Sequence, residues 1–84
     1  MKWDKFKETL ELTHQFPTEY FFKFVLKKEH RNHLVEILSL TQFTEKDSAQ
    51  GNYLSISFSI KATDSETIIE IYRKAATIKG IILL

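Results

Sequence analysis

The stretch from Gly51 to Thr63 constrains this chain more than any other. Leu54, Ile56, Phe58 and Ile60 alternate with Ser55, Ser57, Ser59 and Lys61. A period of two is the signature of a strand with one face buried and the other open. A Gly-Asn turn leads into the strand, and Ala62-Thr63 leads out of it toward a helix start. The stretch therefore predicts a β-hairpin before it and a strand-to-helix unit after it.

With 84 residues, the chain has room for one domain, residues 1–84, with residues 1–15 as an N-terminal helical extension. Domains this small bury roughly 60–65% of their unfolded surface, so most apolar residues are needed for the core. A hydrophobic fraction of 43% and an aromatic fraction of 13% place it among folding sequences. The net charge is +1, which gives no global attraction to nucleic acid or to an anionic membrane. There is no cysteine, which excludes disulfides, thiolate metal sites and thiol catalysis. The charged start Met-Lys-Trp-Asp-Lys-Phe-Lys-Glu lacks a secretory signal, and no apolar run approaches the roughly 20 residues that span a bilayer. The expectation is a soluble cytoplasmic protein with no membrane contact.

Trp3, Phe6, Leu10 and Thr13 recur at helical spacing and predict a short amphipathic helix. Phe16-Pro17-Thr18 breaks it. Residues 19–27 read as a strand with Tyr20, Phe22, Phe24 and Leu26 facing the core and Phe21, Lys23, Val25 and Lys27 facing away. The polar segment Lys28–Asn32 connects to a helix carrying Leu34, Val35, Ile37 and Leu38, with Asn32 as its expected N-cap. Phe43–Asp47 is short and charged, which marks a protected edge strand, and Ser48–Asn52 is its turn. Thr63-Asp64-Ser65-Glu66 has capping-box spacing, with Thr63 as N-cap and Glu66 reaching back. Ile68, Ile71, Tyr72 and Ala75 give the next helix its inward stripe, flanked by Ile69 and Ala76. Ile81–Leu84 is a terminal strand.

After the first helix the order is βαββαβ. Two right-handed crossovers turn that order into an α+β, ferredoxin-like fold. It would have a four-stranded antiparallel sheet, two helices on one face and an extra short N-terminal helix. The first and third strands should be central and the other two edges. Ile81–Leu84 is apolar on both faces, so something should cover it. The economical cover is the N-terminal helix, whose Trp3, Phe6 and Leu10 need a surface; a second copy of the chain is the other.

Phe16-Pro17-Thr18 before a strand, Gly51-Asn52-Tyr53, the alternating serines, and Ala62-Thr63 opening a helix together resemble the YbeD-like family of small bacterial proteins. The resemblance runs from Phe16 to Leu84. It implies a ferredoxin-like fold similar to ACT regulatory domains, in a bacterial cytoplasmic protein. It implies no established activity and no catalytic residues.

His30 and His33, three apart with Glu29 adjacent, fall short of the three convergent ligands a metal needs. Arg31 lies in the loop where acylphosphatases of this fold hold phosphate, but the loop has no glycine for a cradle of N–H groups. No serine is visibly paired with a base and an acid. Compared with RNA-recognition strands, Tyr53 stands at the first stacking position, but Ser55 replaces the second ring and Asn52 the glycine. Phe21 is the other candidate ring. The sequence therefore predicts no enzyme and no cofactor. It points instead to a regulatory or interaction module that meets a protein, a second copy or a small ligand through Phe21, Lys23, Tyr53, Ser55 and Ser57. Single-stranded RNA binding through the same face is the alternative.

Overall fold

The computed structural model describes residues 3–48 and 51–84. Its elements are α1 (Trp3–Thr13), β1 (Thr18–Lys27), a 3₁₀ turn (Lys28–His30), α2 (Arg31–Ile37), β2 (Thr44–Asp47), β3 (Tyr53–Ala62), α3 (Ser65–Ala76) and β4 (Ile82–Leu83). The four strands form one antiparallel sheet in the order β2-β3-β1-β4. The two strands with the strongest apolar alternation are central and the two short ones are edges, as expected. The architecture is α+β, with three helices against a single open sheet.

β1 and β3 pair over their whole length, from Thr18 opposite Ala62 to Lys27 opposite Tyr53. That register puts Phe22 directly across from Phe58, and their rings stack at 5.0 Å between centroids. Phe22, Phe24, Leu26, Leu54, Ile56 and Phe58 are all buried on this face. Tyr72 of α3 comes down on the same aromatic cluster, edge-on to Phe24, and its hydroxyl meets that of Tyr20 at 3.3 Å. Burial and that shared hydrogen bond both hold the Tyr72 phenol protonated, its pKa pushed upward. Fully burying one such side chain contributes about 1.5–3 kcal/mol, so this cluster dominates the stability of a small domain.

The N-terminal helix does not cover the terminal strand or the open face of the sheet. It lies beside α3 on the helical side. Phe6 packs edge-on to Tyr72 at 5.4 Å, Glu11 accepts a hydrogen bond from the buried Ser65 at 2.9 Å, and Lys7 pairs with Glu66 at 3.1 Å. Leu10 is buried in the common core. The apolar stripe of α1 needed burial, and the groove beside Tyr72 offers an aromatic surface that the sheet's serine face lacks. Three helices therefore share one face, rather than two with an appendage.

Two expected caps shift. Asn32 is not the N-cap of α2: the 3₁₀ turn runs directly into the helix, His30 stands at the cap with no side-chain bond, and Asn32 accepts from Arg31 instead. Asp64, rather than Thr63, caps α3, accepting from the backbone N–H of Thr67 at 2.9 Å and from its hydroxyl at 2.8 Å. Those two bonds hold the Asp64 carboxyl below its ordinary pKa. Glu66, freed from the capping box, goes to Lys7.

Other boundaries move slightly. β2 begins at Thr44 rather than Phe43, and β4 spans Ile82–Leu83 rather than all four terminal residues. On α3 the fully buried isoleucines are Ile68 and Ile69, with Ile71 half-buried. In the expected turn Ser48–Asn52, Ala49 and Gln50 lie outside the described residues. Gly51 closes the turn with its N–H donating to Ser48, in a left-handed conformation (φ 79°) that suits glycine.

Candidate functional site

Among the described residues, no element of secondary structure lies over the other face of the sheet. Strand register fixes its composition. β1 contributes Glu19, Phe21, Lys23, Val25 and Lys27, and β3 contributes Tyr53, Ser55, Ser57, Ser59 and Lys61, paired residue for residue. On the flanks, Thr44 and Lys46 of β2 stand beside Ser57 and Ser55, and Ile82 of β4 beside Val25. Leu84 follows on the same side, its N–H donating to the Lys23 carbonyl at 3.0 Å.

All five residues singled out in the sequence, Phe21, Lys23, Tyr53, Ser55 and Ser57, lie on this one face. They divide between two hollows. An open concavity of about 820 Å³ is bounded by Phe21, Ser57, Ser59 and the Thr41–Thr44 segment. A smaller one of about 340 Å³ is bounded by Val25, Lys46, Tyr53 and Ser55. Lys23 and Leu84 border both. Phe21 and Tyr53 do not meet. They sit at opposite ends, six residues apart in register, about 20 Å at the rise of a strand.

Sequence reasoning missed Ile82 and Leu84 as members of the site, although both are exposed large apolar residues (49% and 61%). The signal was present in the terminal Ile-Ile-Leu-Leu, where every second residue of a strand must face the open side. Phe21 is the most exposed aromatic at 72%. Among the described residues this face holds no histidine, and its one side-chain carboxylate, Glu19, stands opposite Lys61 at the far end. The serine hydroxyls have lysine and apolar neighbours on this face.

The histidines and Arg31 lie away from this face. His14 packs its ring on Tyr20 at 5.6 Å on the helical side. His30 lies 3.7 Å from Glu29. Arg31 forms a two-pronged ion pair with Glu45 of β2, at 2.7 Å and 3.0 Å, and lies over the Phe43 ring. That pair draws the Glu45 carboxyl down and the guanidinium up in pKa, and it ties α2 to the edge strand. Among the described residues no cluster of three or more His, Asp or Glu converges as a metal site would. No helix among them is long and apolar enough to cross a membrane.

A family model for proteins of unknown function, DUF493, matches residues 11–84, which takes in the whole sheet, α2 and α3. The chain belongs to the DUF493 family. This agrees with the resemblance carried by Phe16-Pro17 and the Gly51–Thr63 block. The open face described here lies wholly within the DUF493 match. No curated protein and no solved structure matches the chain.

Proposed function

We propose that this DUF493 chain is a small regulatory or interaction module of the cytoplasm. In this reading its shape is ferredoxin-like and similar to an ACT domain, and it docks a partner protein through its open sheet face without catalysis. The order β2-β3-β1-β4, with two strand–helix–strand crossovers, supports the shape. One observation carries the function: Phe21, Ile82 and Leu84 stand exposed on one sheet face that no helix among the described residues covers. A domain this small needs its large apolar residues for the core, so leaving three on one surface favours a contact. RNA binding is supported less, because stacking successive bases needs neighbouring rings, and Phe21 and Tyr53 lie about 20 Å apart.

Affinity capture from native extract tests the reading. The immobilised chain should retain a partner protein that is lost with the double variant Phe21→Ser, Leu84→Ser. It should be kept with Leu12→Ser, which removes an even more exposed apolar residue from α1 (79%). Capture indifferent to the open-face pair, or abolished by Leu12→Ser, contradicts it. Sedimentation separates a self-associated copy from a foreign partner, and a salt-sensitive filter-binding titration detects RNA.

A further inference from the structure

The open face is charged differently from the rest of the chain. It carries Lys23, Lys27, Lys46 and Lys61 against a single side-chain carboxylate, Glu19. The other ten of the eleven acidic residues lie on the helices, on their connections, or at the helix-facing positions of β2. A chain of net charge +1 is thus a basic face on an acidic body. The side-chain ion pairs formed among the described residues engage Lys7, Lys28, His30, Arg31 and Arg73, and none of the four open-face lysines. Asp47 borders the smaller hollow, but its carboxylate is drawn to Lys28 at 3.4 Å.

The face also has relief. Ser55, Ser57 and Ser59 form a low floor along β3, with Phe21, Lys23 and Val25 rising on one side and Thr44 and Lys46 on the other. The two hollows sit at the ends of this trough. They adjoin, sharing Lys23 and Leu84, and the β3 residues that line them, Ser57–Ser59 and Tyr53–Ser55, are centred four residues apart, about 13 Å.

We infer that the trough receives an acidic amphipathic helix of the partner protein. Two of its large apolar side chains seat in the hollows, and its carboxylates lie against Lys23, Lys27 and Lys46. The inference rests on the interaction reading above and adds the partner's chemistry. Residues seven to eight apart on a helix are separated by about 10–12 Å along its axis, close to the spacing of the two centres. A sheet face is commonly buried by a helical layer, and the serine floor lets a helix approach closely. The same features disfavour the other occupants. Two-fold stacking of a second copy on this face would set lysines against lysines. A flat bilayer would leave the hollows unfilled.

The test uses two synthetic helical peptides of about 18 residues. Each has leucines seven apart; one has glutamates flanking them and its twin has lysines. Fluorescence anisotropy compares their affinity for the full chain. The wild type should prefer the acidic peptide by about tenfold, with the preference falling as salt rises. In Lys23→Glu, Lys46→Glu the preference should reverse. Trp3 fluorescence and circular dichroism verify that the variant remains folded. Equal binding of the two peptides, binding of neither, or a stronger hold on phosphatidylglycerol vesicles or oligouridine overturns the inference. Extract capture that depends on Phe21 and Leu84, found together with equal peptide binding, would leave the interaction reading standing and remove the acidic helix.

Discussion

The two faces of this sheet are built from the same strands, in the same register, and differ in every other respect. On the covered face, Phe22, Phe24, Leu26, Ile56 and Phe58 meet three helices and exclude water. On the open face, serines and lysines surround a few apolar residues that nothing among the described residues covers. Odd and even residues of one strand have been given different tasks. The even positions of β1 and β3 hold the domain together, and the odd positions face the open side.

The comparison predicts a steep asymmetry in stability. Phe24→Ala, on the covered face with no exposure, should cost about 3–5 kcal/mol in denaturant unfolding. A loss near zero would mean the aromatic cluster is not the core. Leu10→Ala should cost about 2–5 kcal/mol, because α1 shares that core. If the change were neutral, α1 would be an appendage after all. Tyr72→Phe sharpens the account further. It keeps the ring and deletes the hydroxyl that meets Tyr20, so about 1 kcal/mol should be lost. Phe21→Ser, its neighbour in sequence to the core residue Phe22, should change stability by only about 0.5 kcal/mol or less, while reducing partner capture.

The smallest effect concerns pH. The Asp64 carboxyl is held below its ordinary pKa by Thr67, so its capping contribution is complete above about pH 3.9 and is lost as pH falls through its lower folded value. Asp64→Asn keeps an acceptor at the cap but cannot titrate. It should flatten the stability profile below pH 4 and leave the profile at neutral pH close to the wild type. An unchanged acid limb would show that Asp64 does not contribute there.

The sequence made the sheet legible because period two in β1 and β3 assigns each residue to a face without reference to anything distant. The same logic placed Phe21, Lys23, Tyr53, Ser55 and Ser57 together. Where tertiary contacts decide, the sequence was silent. The stripe Trp3, Phe6 and Leu10 says that a helix must bury one side, but not that Tyr72 supplies the surface. Thr63-Asp64-Ser65-Glu66 offers two overlapping caps. The choice between them follows from Thr67, which gives Asp64 two donors, and from Lys7 on a separate helix, which takes Glu66. The hollows were equally hidden, since they depend on where the Thr41–Thr44 segment and Leu84 come to rest around the serine row.

The central claim is that the open face is the working surface. A photo-activatable residue placed at Ser57, in the trough, and separately at Glu70, on the exposed side of α3, tests it most directly. Irradiation in native extract should yield a discrete covalent adduct from position 57 and none from position 70. An adduct from position 70 alone, or from neither position, would contradict the account.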